Sequence, residues 1–399
     1  MITLLSNKKC VLSIGILFFL MMSCVTKESL EVVVDKALLH SEQQYLLMAE
    51  KYVNQDSILP RSYENGQSTI SDSRWWTSGF FPGSLWFLYE NMKNQEMLEY
   101  AKLYTSRVER EKYTTDNHDV GFMLFCSFGN GLRLISEKTY EEVLLTGAYS
   151  LATRYNPNIG LIRSWDHNVD KWQYPVIIDN IMSLELLLWA YNYSNDSIFK
   201  KIVMSHADKT IINHFRPDYS SYHVVSYDST LATPHIKQTQ QGYSDDSMWS
   251  RGQAWGLYGY TFLYRELNEE RYLHQALNIA DFLINHPNMP TDYVPYWDFN
   301  SPDIPNTYRD SSAASIMASA LIDLSDYVDE ARSKKYLTVA EIQVRTLASP
   351  DYSAKIGENG CFILKHGTGA FPFDSEVDAP LTYGDYYYLE ALTKFKARF

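Results

Sequence analysis

The strongest constraint on the fold is a helical pattern that runs through nearly the whole chain. Apolar residues recur at helical spacing in twelve segments, and almost no segment alternates as a strand does. The predicted helices span 35–53, 79–94, 95–111, 119–136, 138–155, 179–195, 197–217, 249–267, 270–288, 310–328, 330–349 and 381–396. We therefore predict an all-α fold.

The twelve segments form pairs of unlike helices. One member, such as 249–260, is rich in Gly, Ala and aromatic residues, while its partner, such as 270–281, has a charged face. The first type predicts an inner helix and the second an outer helix. Six pairs predict two concentric helix rings, an (α/α)6 barrel; because the repeat is irregular, an open helical solenoid is the alternative.

Long polar connectors interrupt this pattern and predict long loops at one end of the barrel. They are rich in Pro, Asn, Asp and Tyr, and loops of this length usually serve function. Residues 222–227 within them predict a short strand. The connectors span 156–178, 218–248, 289–309 and 350–380.

The first 23 residues predict a lipoprotein-type signal peptide. Lys8 and Lys9 precede an apolar run that is too short to span a bilayer, and a small residue stands before Cys24. We expect Cys24 to carry lipid, with residues 24–34 as a tether and 35–399 as a single catalytic domain. An ordinary signal peptide is the alternative. The expected location is that of an exported bacterial lipoprotein, periplasmic or at the cell surface, which meets the membrane only through Cys24.

Charge and cysteine content exclude several classes of function. The net charge is −13, and it becomes more negative once Lys8 and Lys9 are removed, so nucleic acid is not an expected partner. An acidic substrate would need a local cationic contact. Cys126 and Cys361 lie in apolar surroundings and predict free thiols. No Cys/His spacing indicates a metal site, so we expect neither metal nor cofactor.

Unusual side chains collect where the inner helices begin. Asp179 precedes a segment that is apolar on almost every face, which indicates a buried helix. The simple interpretation is that Asp179 or Asn180 is an N-cap. However, the other inner helices also start with chemically active residues, and the N-termini of inner helices converge on one end of a barrel. These residues include Trp75, His118, Asp119, Arg251 and Asp310.

Several motifs resemble glycoside hydrolase family 88, the unsaturated glucuronyl hydrolases. The resemblance covers essentially all of the chain after the signal peptide. The most specific motif is Trp-x-Arg-Gly-Gln-Ala-Trp-Gly at 249–256, and His-Asp-x-Gly-Phe at 118–122 is moderately specific. Supporting segments are 178–180, 241–247, 310–314, 375–381 and 383–387.

The resemblance implies an unusual hydrolysis. Such enzymes act on oligosaccharides left by polysaccharide lyases, whose terminal uronic acid has a C4=C5 double bond. They hydrate this bond, and the resulting hemiketal opens and releases the neighbouring sugar. By motif, Asp179 is implied to be the general acid/base, and Asp119 to hold ring hydroxyls and polarise it. The resemblance also implies that His118 and His223 contact the substrate. It implies that Gln241 and Arg251 bind the uronate carboxylate, and that Trp75, Trp165 and Trp255 flank the sugar ring.

Two departures from the family bear on the substrate. Gln240 stands where many members have His. The last connector binds sulfate in members that accept it, yet residues 367–393 contain no Lys or Arg. His366, Thr368 and Ser375 are the remaining candidates there, so an ulvan-type uronyl-rhamnose polymer is as plausible as a glycosaminoglycan.

Two other functions fit parts of the sequence. Asp119 and Asp179 could be the base and acid of an ordinary inverting glycosidase. The abundant Tyr and Trp would also suit a lipid-anchored glycan-binding protein without turnover, although paired carboxylates at helix starts argue against it.

Overall fold

The computed structural model describes residues 28–399. Every predicted helix is present in it, with bounds that shift by a few residues. The helices are α1 (Leu30–Tyr52), α2 (Phe80–Met92), α3 (Gln95–Ser106), α4 (Val120–Leu124), α5 (Asn130–Ile135), α6 (Lys138–Ala152), α7 (Leu184–Ser194), α8 (Ser197–His214), α9 (Ser250–Leu267), α10 (Glu270–Asn285), α11 (Ser311–Leu324), α12 (Glu330–Leu347) and α13 (Thr382–Lys396).

The inner helices form a closed ring. α2 packs on the α4–α5 segment, and contacts continue through α7, α9 and α11 to α13, which packs against α2 again. The outer helices α3, α6, α8, α10 and α12 each pack on an inner neighbour, while α1 covers α13 and α2. Closure distinguishes an (α/α)6 barrel from an open solenoid, so the predicted barrel is confirmed.

The connectors contain short strands, which the all-α prediction does not include. The predicted strand is confirmed as β6, which is the central strand of the sheet β5–β6–β7. The antiparallel pairs β1–β2, β3–β4 and β8–β9 complete the set in the described residues. Their bounds are β1 (Leu59–Glu64), β2 (Gln67–Ser71), β3 (Tyr155–Asn156), β4 (Leu161–Ile162), β5 (Pro175–Ile177), β6 (Val224–Tyr227), β7 (Pro234–Gln238), β8 (Gly367–Ala370) and β9 (Ser375–Ala379).

Two inner helices depart from α-geometry near their starts. A π-helical turn, Phe125–Gly129, separates α4 from α5, and Ser127 Oγ donates to the carbonyl of Met123 there. The helix predicted from residue 179 instead begins with a 3₁₀ turn, Ile178–Ser183, before α7. The apolar pattern does not reveal either change, because each irregular turn covers only five or six residues.

The N-terminal boundary differs from the prediction. Residues 30–34, assigned to a tether, form the first turn of α1, and Val34 is fully buried. Ser29 caps this helix by accepting from the Val32 amide. The run of β-branched valines had concealed the start of the helix, because valine has a low helix propensity.

Only some of the remaining predictions about the chain concern residues that the structure describes. The signal peptide and Cys24 lie outside the described residues. In residues 28–399, no helix combines the length and hydrophobicity that crossing a membrane requires. Cys126 and Cys361 are free thiols, as predicted, although Cys361 is only half-buried.

At Gly121, the backbone of α4 lies in close contact with the turn that precedes α7. A Cβ at this position would overlap the Cα, Cβ and Oγ atoms of Ser183. We expect Gly121→Ala to lower the free energy of unfolding by about 1–3 kcal/mol, since the backbone of both elements must shift. Thermal or denaturant unfolding measures this.

The matched control is Gly256→Ala on the inner helix α9. There the added Cβ would meet Phe215 Cζ at 3.3 Å and Ile279 Cδ1 at 3.5 Å, which are ends of side chains that can adjust. This variant should lose less stability than Gly121→Ala. Equal losses would contradict the tight junction at Ser183.

Candidate active site

A cavity of about 370 Å³ opens at the end of the barrel where the inner helices begin. The starts of α2, α4, α7, α9 and α13 all contribute side chains to its wall, as do β1, β5, β8 and β9. The predicted convergence of helix N-termini is therefore confirmed. Of the predicted site residues, those that line the cavity are Trp75, His118, Asp119, Trp165, Asp179, Gln241 and Arg251.

Asp179 is held at the cavity by its neighbour in sequence. Asn180 Nδ2 donates to the Ile162 carbonyl at 2.8 Å, and its Oδ1 accepts from Ser164 Oγ at 2.6 Å. The same Ser164 Oγ accepts from the Ile177 amide. Neither Asp179 nor Asn180 caps a helix, so the N-cap interpretation is wrong. Asp179 is almost fully buried, and its Oδ2 has no hydrogen-bond partner among the described residues.

Asp119 faces the same cavity from the start of α4. His118 links the two helix starts, because its amide donates to the Ser164 carbonyl and its own carbonyl accepts from Ser183 Oγ. The His118 Nε2 lies 3.4 Å from Asp119 Oδ1. Asp119 and Asp179 therefore share one cavity, as predicted.

Burial shifts the titration of this pair of carboxyls. Desolvation raises the pKa of Asp179 to about 7, against the opposing charge of Arg251. Desolvation and then the Asp179 charge raise the pKa of Asp119 to about 8. Because the two groups are coupled, the pair binds a proton near neutral pH.

His223 lies next to Asp179 but is not among the residues that line the cavity. Its Nδ1 accepts from the amides of Gln240 at 3.0 Å and Gln241 at 3.1 Å. Burial, followed by the Arg251 charge, lowers the pKa of His223 to about 3. The ring is therefore neutral with its proton on Nε2, which lies 3.8 Å from Asp179 Oδ2.

Arg251 is buried and extensively bonded. Its Nη1 donates to Asp310 Oδ2 at 2.9 Å and to the Thr368 carbonyl at 2.6 Å. Its Nη2 donates to Gln241 Oε1 and to the Gly369 carbonyl, both at 2.6 Å. A substrate carboxylate can reach these nitrogens only by displacing a protein acceptor. The bond to Gln241 directs that amide oxygen to Arg251 and leaves its NH₂ group available for a ligand.

The three predicted tryptophans have different environments. Trp75 is 38% exposed at the cavity wall. Trp165 stacks on His167 with ring centroids 5.1 Å apart, and its Nε1 has no partner among the described residues. Trp255 is fully buried, packs against Phe122 and does not line the cavity. The prediction that Trp255 flanks a sugar ring is therefore not supported by its position.

The structure adds cavity residues that the sequence analysis did not assign. Arg61, Glu376 and Tyr383 line the wall. Glu376 and Tyr383 stand in the closing motifs, which could have indicated them, but Arg61 lies in a short strand without a motif. The predicted carboxylate contacts, Arg251 and Gln241, did not include this second arginine of the cavity.

The three sulfate candidates of the last connector lie in different environments. Ser375 lines the cavity. Thr368 Oγ1 donates to the Arg309 carbonyl, and His366 pairs with Asp378 outside the cavity. In the described part of the chain, no three His, Cys, Asp or Glu side chains are arranged to hold a metal ion.

Comparisons with known proteins identify the family of this chain. The model of Glycosyl Hydrolase Family 88 matches residues 51–397. An unsaturated glucuronyl hydrolase of Formosa agariphila is 46% identical over 81% of this chain and 80% of its own length. An unsaturated chondroitin disaccharide hydrolase of Streptococcus pneumoniae is 31% identical over 94% of both chains.

Solved structures give the same result. The crystal structure of an unsaturated glucuronyl hydrolase specific for heparin superposes with a TM-score of 0.89 at 43% identity, over 92% of this chain and 98% of that one. The enzyme from Bacillus sp. GL1, described as responsible for glycosaminoglycan degradation, gives 0.84 at 29% identity, over 91% and 97%. The chain therefore belongs to glycoside hydrolase family 88, the family of the unsaturated glucuronyl hydrolases.

Proposed function

We propose that this enzyme removes the 4,5-unsaturated uronic acid from the non-reducing end of oligosaccharides made by polysaccharide lyases. The observation that carries this proposal is the pair of carboxyls in one cavity, buried Asp179 and partly buried Asp119, both with raised pKa values. Such a pair supplies a proton donor and a proton acceptor at neutral pH. The aromatic wall suits a sugar ring.

The proposed reaction is hydration of an enol ether. Protonated Asp179 gives its proton to C4, which leaves positive charge shared by C5 and the ring oxygen. Water then adds to C5 and returns a proton to Asp179. The C5 hemiketal opens by breaking the bond from C5 to the ring oxygen. The C1 hemiacetal formed in this way expels the neighbouring sugar as an alcohol.

Other residues tune this acid. Asp119 and Asp179 repel each other as like charges, so the pair keeps a shared proton near neutral pH. When that proton is on Asp179, the Asp119 carboxylate can accept bonds from ring hydroxyls. Neutral His223 offers an N–H towards Asp179 when that group is ionised. The free amide nitrogen of Gln241 donates to the uronate carboxylate, and Arg251 orients this amide and contributes its positive charge.

The expected substrates are fragments of uronic acid polysaccharides. The names of the relatives specify glucuronyl, chondroitin and heparin substrates, which favours a glycosaminoglycan. The absence of Lys and Arg from residues 367–393 keeps an ulvan-type polymer as a second candidate substrate.

Ultraviolet absorbance of the conjugated enol ether tests the proposal. Lyase products of chondroitin, heparin and ulvan should lose absorbance when the enzyme is added, and the fastest loss identifies the substrate class. Saturated uronides should remain intact. Cleavage of saturated uronides would instead indicate an ordinary inverting glycosidase, and binding without turnover a glycan-binding protein.

Removing the acid should abolish most of the activity. We expect Asp179→Asn to lower kcat about a hundredfold to ten-thousandfold, because the amide keeps the shape but has no transferable carboxyl proton. Circular dichroism checks the fold. The control Asp246→Asn changes an exposed aspartate outside the cavity and should retain normal rates. Near-normal turnover by folded Asp179→Asn would refute the assignment.

The second carboxyl should control the pH dependence. The acid must be protonated, so activity falls as pH rises through its raised pKa. In Asp119→Asn the shared proton of the pair is absent and Asp179 titrates alone with a pKa of about 7, so the alkaline limb of kcat/KM should move to lower pH. A profile from pH 5 to 9 measures this shift. An unchanged alkaline limb would show that the two groups are not coupled.

We also propose that Cys24 anchors the enzyme to a membrane by a lipid. The support is the charged and apolar leader before Cys24. Cys24→Ser should move the exported enzyme from the membrane fraction to the soluble fraction, which fractionation and immunoblotting detect. A wild-type enzyme found only in the soluble fraction would disprove the lipid anchor.

A further inference from the structure

One cationic side chain in the cavity retains unused hydrogen-bonding capacity. Arg61 reaches the cavity from β1, beside Trp75 and Glu376. Its Nε donates to Glu376 Oε1 at 2.5 Å. Within residues 28–399, neither Nη1 nor Nη2 of Arg61 makes a hydrogen bond to a protein acceptor.

The other cations of the cavity are less available. Arg251 uses both terminal nitrogens on four protein acceptors. Burial lowers the pKa of His118 well below its usual range, and it also lowers the pKa of His167. Among the residues described, Arg61 is therefore the cavity arginine with free terminal nitrogens.

Arg61 is also held in a fixed orientation. Its guanidinium carbon lies 3.9 Å from the centre of the Trp75 ring. The Glu376 side chain that binds its Nε is 8% exposed, and the Arg61 side chain is 18% exposed. A guanidinium fixed on one edge and one face presents its remaining N–H groups as a planar fork, which matches an oxyanion and loses little entropy on binding.

We propose that Arg61 binds an oxyanion of the substrate, either the uronate carboxylate or a sulfate ester on the sugar. This inference rests on the proposed function, in which the substrate is an anion. Because the protein has a net negative charge, binding that anion requires a local cation. The last connector contains no Lys or Arg from 367 to 393. β1 reaches the same wall because Ser62 pairs with Leu381, so Arg61 provides a cation at a wall where residues 367–393 supply none.

Three forms of one unsaturated disaccharide test the site: the sulfated acid, the unsulfated acid and the unsulfated methyl ester. For Arg61→Gln we expect KM to rise about tenfold to a hundredfold on the sulfated acid, with kcat nearly unchanged. If Arg61 binds sulfate, the penalty disappears on the unsulfated acid. If it binds the carboxylate, the penalty persists on both acids and disappears on the ester.

The matched control is Arg74→Gln, which removes an exposed arginine that pairs with Asp72 outside the cavity. It should behave as wild type on all three forms. Arg61→Lys keeps the charge without the fork, so it should show a smaller penalty with the same preference among the forms. This variant also decides the matter if Arg61→Gln does not fold.

An equal penalty on all three forms, or no penalty on any, would overturn the proposal and leave Arg61 as a support for Trp75 and Glu376. Calorimetric binding separates this result from failure of the proposed function. If wild type binds the disaccharides without turnover, the reaction is wrong, yet Arg61→Gln must still weaken binding of the form that carries the oxyanion.

Discussion

The buried guanidinium of Arg251 ties together the elements that form one wall of the cavity. Its acceptors come from the start of α11, the backbone of β8 and the loop that carries Gln241. Burying such a charge costs several kcal/mol unless it is well bonded, and a buried ion pair helps only when its geometry is good. Asp310 supplies a well-placed carboxylate, because its Oδ2 accepts from Arg251 Nη1 at 2.9 Å. Its Oδ1 also caps α11 by accepting from the Ser312 amide. The positions of α9, α11 and β8 are therefore mutually dependent.

That charge also sets the acidity of the site. Burial alone drives the pKa of Asp179 upward, and Arg251 limits this rise so that the value remains near 7. Asp119 experiences the negative charge of Asp179 and has a higher pKa, near 8. A coupled pair with these values holds a proton close to neutral pH, where an enzyme needs both a donor and an acceptor. The wall that Arg251 assembles is thus also part of the acid's electrostatic environment.

Local patterns in the sequence predicted the helices, the inner and outer rings, and the shared cavity of Asp119 and Asp179. These features depend on the helical periodicity of each segment and on the direction in which its helix runs. Both can be read from one continuous stretch of sequence. Arg61 could not be found in this way, because its partner Glu376 is 315 residues away and β1 has no motif. The family motif assigned Trp255 to the sugar ring, but a motif does not specify how deeply a side chain is buried. Depth follows from packing against Phe122, which no local pattern describes.

The neutral state of His223 completes the electrostatic design. A histidine beside a carboxylate usually gains a proton, and that charge would lower the pKa of Asp179 and weaken it as an acid near neutrality. Here two backbone amides donate to Nδ1, so protonation of that nitrogen would sacrifice both bonds. One of these amides belongs to Gln241, whose side chain is held by Arg251. The same guanidinium therefore supports the loop that keeps His223 neutral, and a neutral N–H can stabilise ionised Asp179 without removing its ability to take up a proton again.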